Sequence, residues 1–243
     1  PVTYIGDGQA AALGEYSVRT GRVHWPDWID DSHKPHIVED HALRSLFMVA
    51  VGTGLGGGEV RDGMTVRGCE GRAGHAGHLM LPADAFRYEH DRQLRVGNAY
   101  STAESAISLT ALTHQLGYRL TLDRWRDHSL NEQDVSDKEK AKQLRELAAE
   151  GDSLAQQLLD DQAKALGIAL LMINYIGDYD LLVIGGGVCD ITPELRERYL
   201  TVAKQSYYDH ALDGFRDSAN FSFSICGDQA SVIGALVHAY DRK

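Results

Sequence analysis

Apolar residues along this chain fall into two kinds of run. The first kind is short and unbroken. Residues 46–51 are apolar at every position and stop at a glycine series, and residues 180–184 stop at Gly185-Gly186-Gly187. Compact runs of this length, closed by glycine, predict buried strands at 45–51 and 180–184. Residues 2–5, 78–81 and 221–226 read as further short strands. The second kind is longer and interrupted by polar positions, and it predicts helices at 9–19, 100–116, 137–149, 153–176 and 228–240. Thr192-Pro193-Glu194 opens one more, with an N-cap hydroxyl, proline at the first helical position and an acid in the first turn. Residues 58–61 and 64–67 flank Asp62-Gly63, a pair suited to the two positive φ angles of a type I′ hairpin turn. Residues 24–36, with Trp25, Trp28 and two prolines, read as an irregular loop, and the charged stretch 123–150 as a solvated helical face. Strands interleaved with helices predict an α/β fold with a mixed sheet flanked by helices.

Composition narrows the partners. In 243 residues the formal net charge is -11, which argues against nucleic acid, since phosphate backbones are held by clustered Lys and Arg. No stretch approaches the ~18 consecutive apolar residues of a membrane span. Three cysteines, Cys69, Cys189 and Cys226, are too few and too widely spaced for a disulfide scaffold or a Cys-x-x-Cys metal knuckle, so a reducing, cytoplasmic setting is expected. The start shows no basic region followed by an apolar one, and so no secretory signal within this chain.

Four motifs carry candidate chemistry. Gly52-Thr53-Gly54-Leu55-Gly56-Gly57-Gly58 follows the strand at 45–51. Five glycines in seven residues let backbone approach a bulky anion and aim several N–H groups at it, and Thr53 adds a hydroxyl. No Gly-Lys-Ser/Thr follows, and a hairpin stands where a dinucleotide fold has a helix, so this is neither a Walker loop nor a Rossmann fingerprint. Gly185-Gly186-Gly187 leaves bare backbone at a strand's C-terminal end, where α/β proteins leave room for ligands. Gly6-Asp7-Gly8 opens a helix; Asp7 is either a helix cap or a carboxylate able to accept a proton from a substrate hydroxyl. Gly71 to His78 contains His75 and His78, which could bind a polar substrate or a metal; the intervening glycines argue against the helix that would set two metal ligands side by side.

Taken in order, these motifs resemble the ROK family (repressors, open reading frames and sugar kinases), within the actin-like ATPase, ribonuclease H-like superfamily. The family order is an Asn-Asp-Ala-type turn opening an Ala-rich helix, then Gly-Thr-Gly-x-Gly-Gly-Gly, Gly-x-x-Gly-Glu-x-Gly-His, and Gly-Gly-Gly after a strand. The matching residues here are Gly6 to Glu15, Gly52 to Gly58, Gly71 to His78 and Gly185 to Gly187, and Gly227-Asp228-Gln229-Ala230 resembles the family's last helix. The resemblance implies an ATP-dependent sugar kinase. Asp7 would be the general base. Gly52, Thr53, Gly54, Gly56 and Gly57 would hold the ATP phosphates, with Mg²⁺, and Gly185, Gly186 and Gly187 would lie near the adenosine. His78 would touch the sugar, and a homodimer is implied.

The departures are specific. Gly6 replaces the Asn before the catalytic Asp, His75 replaces the motif's Glu, and Asn98 aligns with a later sugar-binding Glu. These four positions, Gly6, His75, His78 and Asn98, are the candidate substrate contacts. No cysteine lies between Glu89 and Asn98, where the family has its zinc-binding cluster, so no metal site is expected. An altered substrate and a lost activity both stay open, and a non-catalytic sugar-sensing regulator or degenerate kinase is the rival reading. The family's first phosphate motif, Asp-x-Gly-Gly-Thr, appears nowhere, so the chain is expected to be mainly the C-terminal lobe, with low activity alone.

Overall fold

The computed structural model describes residues 4–24 and 40–241. At its centre is a five-stranded sheet of order β3-β2-β1-β4-β5, with β1 at Ser45–Val51, β2 at Leu55–Arg61, β3 at Met64–Thr65, β4 at Leu181–Gly185 and β5 at Phe221–Phe223. β1 is antiparallel to β2 and parallel to β4, and β4 is parallel to β5, so the sheet is mixed as the runs predict. The helices are α1 (Asp7–Arg19), α2 (Ala103–Ile107), α3 (Leu109–Leu120), α4 (Asp137–Lys142), α5 (Leu144–Ala149), α6 (Ser153–Gly177), α7 (Pro193–His210) and α8 (Ala230–Tyr240).

The unbroken apolar runs are explained by burial on both sheet faces, because successive strand side chains point to opposite sides. Leu46 and Met48 of β1 and Leu181 and Val183 of β4 enter a core with Leu13, Tyr16 and Ile233 of α1 and α8. Phe47, Val49, Val51, Leu182 and Ile184 enter a larger core with α2, α3, α6 and α7. α1 and α8 meet backbone to backbone. A Cβ on Gly14 would run into the Ala230 carbonyl, and one on Gly234 into that of Ala10.

Several elements differ from expectation. The helix expected at 100–116 is interrupted at Ser108, whose hydroxyl accepts the Ala111 N–H and caps α3, as Thr102 caps α2. The helix expected at 137–149 is likewise divided at Gln143. Residues 78–81 form no strand; Ala76–His78 is one 3₁₀ turn, followed by an isolated bridge between Met80 and Thr102. β5 stops at Phe223 because the next residues turn onto fully buried Glu15, which accepts from the Ser224 hydroxyl and the Ile225 and Cys226 amides. Tyr4 and Ile5 are irregular, and the rest of the expected strand at 2–5 lies outside the described residues, as does the loop at 24–36 apart from His24. The stretch 123–150 is more than a solvated face, since Trp125, Leu130, Ala141, Leu144 and Ala148 are buried.

The segment around Asp91 is tied to α3 and α6 by a buried ion network. The fully buried Arg119 guanidinium grips both Asp91 oxygens at 2.9 Å and reaches Asp161 at 3.0 Å. Beside it, the His90 ring stacks on His114 and Tyr118, each with ring centroids 4.2 Å away. Burial, then the neighbouring His114, hold the His90 imidazole below its ordinary value.

Candidate functional site

The turn between β1 and β2 is Gly52-Thr53-Gly54, since Val51 pairs with Leu55. The Gly52 N–H donates to the Gly54 carbonyl at 2.9 Å and closes it. The Gly52 carbonyl accepts the Leu109 N–H at 2.9 Å, and the Thr53 carbonyl accepts the Thr110 hydroxyl at 2.8 Å, so the start of α3 is anchored on the turn. A trans peptide points its N–H opposite to its carbonyl. The Thr53 and Gly54 amides therefore face away from α3, and neither has an acceptor among the described residues. Two successive open amides on an exposed turn form a concavity suited to an anion. The third amide, of Leu55, donates to Glu104 Oε2 at 2.8 Å.

Gly56, Gly57 and Gly58 are not part of this loop; they lie in β2, paired with Ala50, Val49 and Met48. Gly57 and Gly58 allow other backbones to approach. A Cβ on Gly8 or Gly74 would run into the Gly57 carbonyl, and one on Gly58 into the Gly8 carbonyl. A Cβ on Gly77 would strike the Leu55 carbonyl. Three of the motifs thus meet on one strand. Asp7 stands beside Gly8 at the start of α1, with Gly6 as N-cap and no capping bond from a side chain. Its carboxylate is exposed and makes no hydrogen bond among the described residues, so it is not spent as a helix cap. At the ~3.4 Å per residue of a strand, Gly57 is roughly 10 Å along β2 from the turn. His75 and His78 are exposed, with ring centroids 6.1 Å apart. Asn98 sits in a separate exposed turn, where its side chain accepts from Arg95, and no hydrogen bond joins it to the other candidates. Among the described residues no group of three His, Cys, Asp or Glu is placed to hold a metal ion.

The second glycine run reaches the same end of the sheet. β1 and β4 are parallel neighbours with Ala50 opposite Gly185, so both strands release their glycines side by side. Gly185 is buried, and a Cβ there would overlap the Met48 methyl group. Gly186 turns with φ 81° and a Cβ there would lie 2.5 Å from the Val51 carbonyl oxygen. Gly187 lies under Arg145, whose guanidinium is 3.6 Å from Asp190. A cavity of about 160 Å³ opens at the first run, lined by Gly52, Leu109, Lys142, Arg145 and Gln162 among others; Val188, just past the second run, also lines it, but Gly185 to Gly187 do not. Behind it, burial pushes the Cys189 thiol up to about 11, and the thiol donates to the Ile184 carbonyl at 3.4 Å, so this sulfur is a packed, protonated group. A larger cavity, of about 530 Å³, lies between α1, β3 and α8 and touches neither glycine run.

Sequence reasoning missed Lys142, Arg145 and Glu104. The first two have a signal: Ala141, Leu144 and Ala148 recur at helical spacing, which marks a packed face and places the adjoining cations at its rim. Glu104 has none, because its partner Leu55 is 49 positions away.

The same fold is found in known proteins. The sequence model of the ROK family matches residues 36–242. A glucokinase of Halalkalibacterium halodurans is 28% identical over 236 residues, covering 96% of this chain, and the chain spans 62% of that protein's length. An N-acetyl-D-glucosamine kinase of Salmonella paratyphi B is 31% identical over 172 residues, covering 68% of this chain and 52% of that protein. Among solved structures, a ROK family glucokinase from Streptomyces griseus in complex with glucose and AMPPNP superposes with TM-score 0.74 at 23% identity, over 99% of this chain and 69% of the other. A ROK family transcriptional regulator, a homologue of the E. coli MLC protein, superposes with TM-score 0.63 at 18% identity, over 100% of this chain and 55% of the other. These structures share the actin-like ATPase fold, and the chain belongs to the ROK family.

Proposed function

We propose that this protein transfers the γ-phosphoryl group of ATP to a hydroxyl of a sugar or sugar-like compound, with Asp7 as general base. The observation that carries the reading is that the two glycine runs leave the sheet side by side, the first onto a cavity, with an exposed, unbonded Asp7 at the start of α1, whose Gly8 packs on β2. ATP suits the residues present. The open Thr53 and Gly54 amides would receive phosphate oxygens, while Lys142 and Arg145 would add positive charge at the rim. A Mg²⁺ ion arriving on the nucleotide would neutralise charge on the transferred group. Asp7 would accept the hydroxyl proton, and His75 and His78 would hydrogen-bond the acceptor compound, with Gly6 and Asn98 at its edge. A cytoplasmic homodimer fits this reading; among the described residues no helix is long and apolar enough to cross a membrane.

The rival is a sugar-sensing regulator without turnover. It is favoured by the match to a regulator over the whole chain and by the changed contacts at Gly6, His75 and Asn98. A site built around particular hydroxyls discriminates through those contacts, so the substrate is expected to differ from glucose. Assay of the full-length protein for ATP-dependent phosphorylation of a sugar panel separates the two. Turnover that falls by about 10³-fold or more in Asp7→Asn, with an unchanged unfolding midpoint, is the expected result. Turnover that survives this change removes Asp7 from the role of base, and sugar binding without any ATP consumption selects the regulator.

A further inference from the structure

The hairpin turn presents three amides in succession, and one already has an anion. Leu55 N–H donates to Glu104 Oε2 at 2.8 Å, while the Thr53 and Gly54 amides have no acceptor among the described residues. The carboxylate is pressed into the turn: a Cβ on Gly54 would lie 2.8 Å from Glu104 Oε2, and one on Gly77 3.2 Å from it. The backbone that carries Glu104 is anchored at the start of α2, which Thr102 caps and where the Ala103 N–H donates to the Leu79 carbonyl at 2.7 Å. A side chain there has no need of charge to close the turn, since a neutral acceptor would take the same N–H.

The geometry points to Glu104 as a charge gate on the anion seat of this turn. It is the resident acceptor of the third amide, and it sets which anions the other two accept. A phosphate bound by Thr53 and Gly54 would lie within a few ångströms of a carboxylate, at a separation where unit charges still repel appreciably even in a partly solvated site. The seat therefore disfavours a bare polyphosphate and favours one whose charge is reduced by a bound cation. Glu104 also lies against Gly77, which stands between His75 and His78 in the sequence. The inference rests on reading the turn as the phosphate seat of the proposed kinase.

The test titrates inorganic pyrophosphate, without divalent cation, into the wild-type protein and into Glu104→Gln and Glu104→Ala by calorimetry. Glu104→Gln keeps an acceptor for the Leu55 amide and removes only the charge. It is expected to bind pyrophosphate about tenfold more tightly at low ionic strength, with the gain shrinking as salt is added. Glu104→Ala is expected to gain at least as much, because it also frees the third amide. Equal or weaker binding by Glu104→Gln overturns the gate, as does a gain that salt leaves untouched or a failure of all three proteins to bind. ATP titrated in parallel keeps the two readings apart. A tightened pyrophosphate response in a protein that binds no ATP sinks the nucleotide assignment alone, while ATP binding that Glu104→Gln leaves unchanged sinks the gate alone.

Discussion

Replacing Gly186 by alanine tests whether the two glycine runs are held together by bare backbone. Gly186 has φ 81° and ψ -169°, a region that residues with a side chain scarcely enter. Holding alanine there costs about 1–3 kcal/mol. The added Cβ would also meet three backbone atoms of Val51, at 2.5 Å from its oxygen, 2.8 Å from its nitrogen and 2.9 Å from its carbonyl carbon. These atoms end a strand paired on both sides, so they yield only by shifting the sheet. Overpacking of this kind adds roughly 1–3 kcal/mol. After partial relaxation the expected loss is about 3 kcal/mol, a drop of about 1 M in the urea midpoint with an unchanged slope. Since Val51 and Gly52 line the cavity, ATP affinity measured under folded conditions is expected to fall by about tenfold or more. Gly56→Ala is the control, because a Cβ there meets no heavy atom within 4 Å. It is expected to leave stability within about 0.5 kcal/mol. If it also leaves ATP affinity unchanged, Gly56 makes no close approach to a phosphate. The reasoning is refuted if Gly186→Ala costs less than about 1 kcal/mol with ATP affinity intact, or if Gly56→Ala costs as much as Gly186→Ala.

Arg119→Met strands the buried Asp91 carboxylate beside an apolar side chain, while Asp161 keeps Arg87 at 2.7 Å, and is expected to cost about 3–5 kcal/mol in equilibrium unfolding; a loss under about 1 kcal/mol contradicts the network's role. The His210–Asp84 pair, 2.9 Å apart, predicts a pH dependence. Burial pulls the His210 imidazole down, but the Asp84 bond and charge and the Ser206 carbonyl outweigh it and hold it above 6.5, while the His210 bond holds Asp84 below 3.8. The raised imidazole contributes stability that is full below pH 6.5 and is lost as pH rises through its folded value. The lowered carboxyl contributes stability that is present above 3.8 and is lost as pH falls through its own folded value. The unfolding midpoint should fall between about pH 6 and pH 8 in the wild type more than in His210→Ala, and parallel curves would contradict this.

The strands that frame the site were legible because burial on both faces leaves an unmistakable sequence pattern. β1 matches the run at 45–51, and Asp62-Gly63 takes positive φ at both residues, 48° and 79°. The cap at Thr192 with Pro193 was legible for the same local reason. What was not legible depends on distant partners. The extent of β2 was hidden because its glycines carry no β propensity and form a strand only when α1 and the segment around Gly74 press against them. Ser108 in the run 100–116 was a readable cap signal, yet the interruption is also fixed by the carbonyls of Gly52 and Thr53, more than 50 positions earlier. For the candidate site, the motifs pointed to Asp7, both glycine runs and the histidines; the cations at the cavity rim follow only from the packed face of Ala141, Leu144 and Ala148, and Glu104 from the fold alone.

The glycine crossing of α1 and α8 has a consequence for the far end of the chain. Because the nearest atoms at this closest approach are backbone, a methyl group at Gly234 must displace a whole helix, and α1 has Asp7 at its tip, about 10 Å from Gly14 at 1.5 Å per residue. The last helix is thus a positioning jig for the first, and a fault at residue 234 would surface as misalignment at residue 7.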